Sequence, residues 1–283
     1  MAASIHQDAQ LAEFLAKAIH QDNLRLFVQP QISISSGKTV GGEVLLRIPS
    51  PLLFEKDVLE TQSQNNYDFS SVSVNQWIQT ALNQGLIHPL SEWLVKNVLK
   101  MLEEKNALSR TNVPLAVNMP PEMINKDFLN FIEECFAKYN SVDPSQICIE
   151  ITEFPKAKNL DLLNFNIQNL RAMGIRVILD DFGSGYATMN YLVELLVDAV
   201  KIDQSFIQKA PYSSSARAVL KCLIELAKEM DLEVICEGVE TFEQLMLIQN
   251  LKCDIIQGFL VSEPIPFHQF WLDLEKGLKP ILH

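Results

Sequence analysis

The sequence predicts an α/β protein, a modified (β/α)8 barrel of the TIM type that begins with an antiparallel strand. Two observations lead to this class. Apolar runs of strand length alternate with runs of helix length along most of the 283 residues, and that alternation is typical of α/β architecture. About eight strands in some 250 residues fit a closed barrel. A doubly wound open sheet is the alternative that the alternation leaves open.

Eight apolar runs are the predicted strands. The first two lie at 24–34 and 39–48, and the connection between them, Ser-Ser-Gly-Lys, is typical of a β-hairpin. The hairpin makes the opening pair of strands antiparallel. The remaining strands are predicted at 113–119, 146–153, 175–181, 198–203, 232–238 and 254–260.

The predicted helices stand between these strands. The first one opens the chain, because Leu11, Phe14, Leu15 and Ile19 recur on one helical face. Further helices are predicted at 77–86, 90–105, 128–139, 162–174, 191–196, 216–230 and 241–251. Residues 49–75 are polar and rich in Asn, Gln and Ser, which predicts a long excursion or a mobile loop. Because no stretch has the composition of a linker, we expect one domain over 1–283.

Charge and cysteine content exclude several classes of function. The net charge is −12, which argues against broad electrostatic binding to DNA, RNA or an anionic membrane. No apolar run reaches the length of a membrane span, and the N-terminus lacks the basic and apolar regions of a secretory signal. The five cysteines are scattered without a C-x-x-C pair. This pattern favours a reduced, cytoplasmic protein.

Two adjacent carboxylates, Asp180 and Asp181, end the apolar run of the fifth strand and precede the loop Phe-Gly-Ser-Gly. Two like charges held together are costly unless a cation lies between them. The ordinary interpretation is a strand end with solvated acids and a turn. The sharper interpretation is a site for a divalent metal ion.

Polar side chains also stand at the ends of the other strands, from the second to the eighth. The active site of a (β/α)8 barrel lies at the carboxyl ends of its strands, so these side chains would meet on one rim. A single acid at a strand end is ordinary surface, whereas a polar oxygen or nitrogen on successive strands is hard to explain as surface. The set is Glu43, Asn118, Glu150, Glu153, Asp180, Asp181, Lys201, Asp203, Glu237, Glu240 and Gln257.

These residue types favour magnesium or manganese. Oxygen ligands without histidine or cysteine select hard cations, and all five histidines lie outside the set. Two adjacent aspartates suit two ions, which can clamp the attacking and leaving oxygens of a phosphoryl transfer. Lys201 could then orient the attacking water or stabilise charge on the phosphate.

At this point the chain resembles the EAL-domain cyclic-di-GMP phosphodiesterases, from about Leu24 to Phe270. The matching stretches are FVQPQ, GGEVLLR, AVNMP, IEITE, LDDFGSGYATMNYL, VDAVKIDQSFI, CEGVET and QGFLVSEPIP. The resemblance implies a modified barrel with an antiparallel strand. It also implies hydrolysis of one phosphodiester of cyclic di-GMP to linear pGpG by a two-metal mechanism, in bacterial second-messenger signalling.

Residue roles follow from the resemblance position by position. Lys201, Glu237 and Gln257 look catalytic, near the attacking water. The implied metal ligands are Glu43, Asn118, Glu150 and Asp180 for one ion, and Asp180, Asp181 and Glu237 for the other. The implied contacts to the dinucleotide are Gln29, Leu45, Arg47 and Pro264, and Glu153, Asp203 and Glu240 would lie behind the metal ligands. Two Mg²⁺ or Mn²⁺ ions are expected, with Ca²⁺ inhibitory because it prefers longer bonds and more ligands.

Some positions depart from the family pattern. Glu-Ala-Leu is Glu43-Val44-Leu45 here, and the segment after Arg47 is longer and more polar than in the family, near the substrate entrance. These departures keep open a catalytically weak or inactive domain that acts as a cyclic-di-GMP receptor or a protein-interaction module. The family often forms homodimers through the stretch that corresponds to 182–196, which we call the predicted dimer segment. Packing of that stretch on its own barrel is the alternative.

Overall fold

The computed structural model describes residues 2–48, 72–107, 112–152, 159–184 and 192–276, with side chains from Asp8 onward. Contacts between residues divide the chain into two compact units. One unit comprises 1–27 and 46–97, and the other comprises 28–45 and 98–283. The expectation of one domain over 1–283, with residues 24–270 as its core, stays a prediction.

The second unit is a closed barrel, which confirms the predicted fold class. Its strands follow the order β2-β3-β4-β5-β6-β7-β8-β1, and β1 also pairs with β2, which closes the cylinder. The strands are β1 Arg25–Ser33, β2 Thr39–Arg47, β3 Leu115–Asn118, β4 Ile147–Thr152, β5 Arg176–Phe182, β6 Ala199–Ile202, β7 Glu233–Cys236 and β8 Ile255–Ile256. All pairings from β2 to β8 are parallel.

The antiparallel strand is β1. It pairs antiparallel with β8, and because β8 runs parallel to all the others, β1 is antiparallel to β2 as well. The turn between β1 and β2 is closed by the Ser33 amide, which donates to the Lys38 carbonyl at 3.0 Å. A further strand, β9 Ile265–Pro266, pairs with the outer edge of β1 and was not predicted.

The helices agree with the predicted segments, with two additions. Their bounds are α1 Ala2–His20, α2 Val74–Asn83, α3 Ile87–Asn106, α4 Lys126–Lys138, α5 Leu160–Ala172, α6 Gln204–Lys209, α7 Ser214–Glu229, α8 Phe242–Asn250 and α9 Phe267–Glu275. The pattern missed α6, which is only six residues long, and α9, which follows β9 directly. None of these described helices is long and apolar enough to cross a membrane.

Two aspartates fix the amino ends of β5 and β7 in the same way. Asp198 accepts a hydrogen bond from the Val177 amide at 2.8 Å and pairs with Arg171 at 2.8 Å. Asp254 accepts from the Val234 amide at 2.8 Å and pairs with Lys228. In both cases the basic residue lies in the last turn of the preceding helix, so one carboxylate holds a helix end and a strand start together. This side of the barrel serves stability, opposite to the polar strand ends.

The first unit contains α1 and α2. Leu11, Leu15 and Ala18 of α1 are buried, and the Phe14 ring lies 5.6 Å from the Trp77 ring of α2. α2 begins with a capping box in which Ser73 and Gln76 exchange hydrogen bonds. The predicted excursion 49–75 therefore ends where this helix starts, and residues 49–71 lie outside the described residues.

The predicted dimer segment is described in part. Residues 185–191 lie outside the described residues. Leu192 and Leu195 are buried, whereas Val193 is 78% exposed and Leu196 is 48% exposed. The described part thus divides its apolar side chains between the barrel and the surface, and dimerisation stays a prediction.

Candidate active site

The site is a polar layer above an apolar layer inside the barrel. Side chains along a strand alternate between its two faces. The apolar layer is one buried cluster of Ala116, Cys148, Ile178, Ala199, Ile235 and Ile255. Two residues further along each of these strands, and therefore on the same inner face, are Asn118, Glu150, Asp180, Lys201, Glu237 and Gln257. The apolar layer closes the floor of the barrel, and the polar layer faces its carboxyl end.

Lys201 is the centre of the polar layer. Its side chain is fully buried on β6. The ammonium nitrogen lies close to carboxylate oxygens of four residues, at 3.0 Å from Glu43, 2.9 Å from Glu150, 3.5 Å from Asp180 and 2.5 Å from Glu237. Four strands thus deliver one acid each to a single cation, and the cluster carries more negative than positive charge.

This imbalance determines the protonation of the cluster. Burial and the neighbouring acids raise the pKa of Glu150 well above its ordinary value, although Lys201 opposes the shift. Burial likewise raises the pKa of Asp180 and raises the pKa of Glu237 to about 8. Burial lowers the pKa of Lys201, but the surrounding carboxylates outweigh it and raise that pKa well above its usual range. The lysine therefore stays charged, and the cluster retains protons until another cation replaces them.

A β-bulge brings the adjacent aspartates to the same side. Neighbouring residues of a regular strand point to opposite faces. Here the β5–β6 register shifts between Leu179 and Phe182, and Asp181 adopts the left-handed conformation with φ 54°. Its amide donates to Asp180 Oδ1 at 2.9 Å. Carboxylate oxygens of Asp180, Asp181 and Glu237 then lie within 4.8 Å of one another, so three acids could share one ion.

The acids around this trio differ in role. Burial, Asp180 and Asp203 together raise the pKa of Asp181 to about 6. Asp203 begins α6, where its side chain accepts from the Ser205 amide at 3.0 Å. Glu240 is exposed and lines the cavity rather than lying behind it. Glu153 lies outside the described residues.

Amide side chains orient Glu43. Gln257 donates to Glu43 Oε2 at 2.6 Å and to Gln29 Oε1 at 3.0 Å. Asn118 donates to Glu43 Oε1 at 2.7 Å, which leaves the amide oxygen of Asn118 for another partner. Burial raises the pKa of Glu43, but the charge of Lys201 and these amide donors outweigh it and hold the pKa below its ordinary value.

Sequence reasoning missed Gln31. This glutamine is 4% exposed and donates to Gln257 Oε1 at 2.9 Å, so it fixes which end of the Gln257 amide faces Glu43. The signal was available, because Gln29 and Gln31 are two residues apart on β1 and share its inner face.

A cavity of about 270 Å³ opens above the polar layer. Its lining comprises Gln29, Glu43, Asp180, Gln204, Glu237, Gly238, Glu240, Gln257, Gly258 and Phe259. Gln204 and Phe259 were not predicted. Both lie just beyond a strand end, where alternation along the strand no longer indicates direction.

Three predicted contact residues do not belong to this lining. Leu45 is half-buried on β2, and Pro264 is half-buried before β9. The Arg47 guanidinium lies 5.6 Å from the centre of the Phe27 ring and donates to the Leu46 carbonyl at 3.1 Å. Their predicted contacts to a dinucleotide stay predictions.

The donor set suits a hard divalent cation. Glu150 Oε1 is buried and accepts no hydrogen bond among the described residues, although a buried carboxylate oxygen normally has a partner. The surrounding donors are carboxylate and amide oxygens, which Mg²⁺ and Mn²⁺ prefer. An ion among them would satisfy the orphaned oxygen and offset the excess negative charge.

Comparison with known proteins gives one family. The sequence pattern described as "EAL domain" matches residues 12–264. The bifunctional diguanylate cyclase/cyclic di-GMP phosphodiesterase MucR of Pseudomonas aeruginosa is 26% identical over 270 residues, which cover 95% of this chain and 37% of MucR. The cyclic di-GMP phosphodiesterase NbdA of the same organism is 28% identical over 260 residues, or 92% of this chain and 31% of NbdA.

A solved structure agrees with these relatives. The MucR phosphodiesterase in complex with cyclic di-GMP superposes with a TM-score of 0.78 at 26% identity, and the match covers 92% of this chain and 99% of that one. The chain spans 31% to 37% of the length of the two curated relatives.

Proposed function

The chain belongs to the EAL domain family, and we propose that it hydrolyses cyclic di-GMP to linear pGpG with two bound Mg²⁺ or Mn²⁺ ions, in bacterial second-messenger signalling. Relatives named as cyclic di-GMP phosphodiesterases support this proposal. One observation of the chain itself carries it. Four buried carboxylates share a single ammonium ion, which leaves the charge and the oxygen donors for divalent cations.

The ligands divide into two sets that share Asp180. Glu43, Asn118, Glu150 and Asp180 would hold one ion, and Asp180, Asp181 and Glu237 would hold the other. When bound, such ions stabilise charge on the phosphodiester and lower the pKa of water so that it can attack at neutral pH. The β-bulge supports the second set, because without it Asp181 would point away from Asp180.

The remaining side chains bind and orient. Once cations take up the carboxylate charge, the Lys201 ammonium can donate hydrogen bonds to water or to a phosphate oxygen in the transition state. Gln257 keeps Glu43 in place through its 2.6 Å hydrogen bond, and Gln31 and Gln29 keep Gln257 in place. Leu45, Arg47 and Pro264 would contact the dinucleotide outside the polar layer.

Chromatography of the nucleotide products tests this proposal. The protein is incubated with cyclic di-GMP and Mg²⁺, Mn²⁺ or Ca²⁺, and pGpG is expected with the first two and not with Ca²⁺. Glu43→Gln should lower the rate by orders of magnitude, because it removes a ligand charge without opening a cavity. Glu233→Gln is the matched control, since Glu233 lies at the opposite end of β7 and pairs with Arg176.

The possible results separate the functions. A Glu43→Gln protein with near-normal turnover would remove Glu43 from the site. Calorimetric binding of cyclic di-GMP without any pGpG, even with Mn²⁺, would make the protein a receptor. Neither binding nor product would leave a protein-interaction module. A cytoplasmic location stays the expectation from cysteine usage.

A further inference from the structure

An exposed phenylalanine lies in the lining of the cavity. Phe259 follows β8 by three residues and is 61% exposed. Among the described residues, Phe165 and Phe242 are exposed to a similar degree, at 60% and 49%, but only Phe259 lines the cavity. An aromatic ring beside a polar cavity needs an explanation that a ring elsewhere on the surface does not.

The turn that carries Phe259 is fixed by the backbone. The Leu260 amide donates to the Val239 carbonyl at 2.9 Å, and the Val261 amide donates to the Gly258 carbonyl at 3.0 Å. Gly258 has φ 154°, and a β-carbon there would lie 2.3 Å from the Val239 amide nitrogen and carbonyl oxygen. The exposure of Phe259 is therefore built into the backbone and does not result from a loose loop.

The size of the cavity indicates what meets this ring. At about 270 Å³ the cavity lies below the roughly 300–1,000 Å³ that enclose a drug-sized ligand. A dinucleotide whose phosphodiester reaches the polar layer must therefore extend past the rim. The groups next to a phosphodiester of cyclic di-GMP are ribose and guanine, and a purine base stacks on aromatic side chains.

We propose that Phe259 is a substrate-binding residue, the platform on which one purine base of the dinucleotide stacks. The assignment rests on the proposed function, since it takes cyclic di-GMP as the ligand of the cavity. Stacking is present both before and during the reaction, so it contributes to binding without changing the chemical step. It tolerates any purine, because every base has a π-face.

Kinetics and calorimetry on substitutions of Phe259 test the proposal. Loss of one base–aromatic stack costs about 1–3 kcal/mol, which corresponds to about a 5- to 150-fold rise in the dissociation constant. Phe259→Ala should therefore raise KM by that factor and leave kcat within about twofold. Phe259→Tyr should behave as the wild type, and Phe259→Leu, which keeps apolar bulk without a π-face, should behave as Phe259→Ala.

Two controls accompany these variants. Phe242→Ala removes an exposed phenylalanine away from the cavity and should leave KM unchanged. Mn²⁺ titration of Phe259→Ala should give the wild-type affinity, because the substitution leaves the carboxylates in place. Wild-type affinity of Phe259→Ala or Phe259→Leu for cyclic di-GMP would overturn the proposal and assign the ring to packing against another segment.

Failure of the proposed function gives a different result. If the wild type forms no pGpG but binds cyclic di-GMP, the hydrolase proposal fails, and the calorimetric comparison of wild type with Phe259→Ala still decides the role of the ring. If the wild type does not bind cyclic di-GMP at all, both proposals are wrong.

Discussion

Replacement of Lys201 by methionine should destabilise the metal-free protein far more than the metal-bound protein. The side chain is fully buried and lies within 3.5 Å of carboxylate oxygens from four residues. Methionine has a similar length and no charge, so Lys201→Met removes the counter-charge with little change in packing. The carboxylates would then repel one another in a buried place unless divalent cations or protons replace the ammonium.

The size of the effect follows from the burial of the cluster. Breaking a buried ion pair costs about 3–5 kcal/mol, because the remaining charge is left uncompensated. In a chain of this size about 1 kcal/mol shifts the melting temperature by about 2–4 °C, so we expect a decrease of about 6–20 °C. The decrease should be smaller at about pH 5 than at about pH 8, since burial raises the pKa of Glu237 to about 8 and a protonated carboxyl needs no counter-charge.

Circular dichroism melting curves in EDTA and in saturating Mn²⁺ measure this effect. Mn²⁺ should recover most of the lost melting temperature, because the cation replaces the ammonium charge. The matched control is Lys228→Met, which removes a lysine paired with Asp254 on the barrel surface, where the two side chains are 36% and 33% exposed. Such pairs contribute about 0–1 kcal/mol. If Lys201→Met in EDTA melted within about 2 °C of the wild type near pH 8, Lys201 would not be the counter-charge of the cluster.

Three further predictions concern the site and its surroundings. Because burial raises the pKa of Glu237 from 4.5 to about 8, the folded state binds this proton more tightly than the unfolded chain, and the free energy of unfolding without metal should fall between about pH 4 and 8 in urea titrations; a rise would contradict it. Gly238→Ala should unfold at lower urea than Gly37→Ala: φ is 62° and 64°, but only at Gly238 would the new β-carbon lie 2.4 Å from Gln204 Cβ, whereas nothing lies within 4 Å at Gly37. We expect a homodimer through the predicted dimer segment, and Val193→Asp, at a side chain 78% exposed, should lower the sedimentation coefficient; monomeric wild type at tens of micromolar would contradict it.

The barrel was predictable because its pattern is local. Each strand from β3 to β7 is an apolar run between two helix-like runs, and the hairpin connection fixes the direction of β1. The exceptions are short elements. The strand β8 is reduced to Ile255–Ile256, and α6 and β9 are too short for a periodic signal, so their formation depends on tertiary contacts that the sequence pattern does not contain.

The polar layer was predictable for the same reason, and the bulge was not. Asn118, Glu150 and Lys201 each follow their strand by the even spacing that places them inside the barrel. The same rule would send Asp180 and Asp181 to opposite faces. Only the register shift and the left-handed backbone of Asp181 put both carboxylates on one side, and nothing in the local sequence distinguishes that arrangement from a regular strand end.

The two glycines before Glu43 show how packing outside the polar layer fixes its geometry. A β-carbon at Gly41 would lie 2.5 Å from Gln31 Oε1, and one at Gly42 would lie 2.5 Å from Val28 Cγ1. Both glycines therefore allow β1 and β2 to approach closely. That approach seats Gln31, which donates to Gln257, and Gln257 in turn donates to Glu43. The position of the proposed metal ligand thus depends on missing side chains one and two residues before it, which explains why glycines stand at the centre of an otherwise apolar strand.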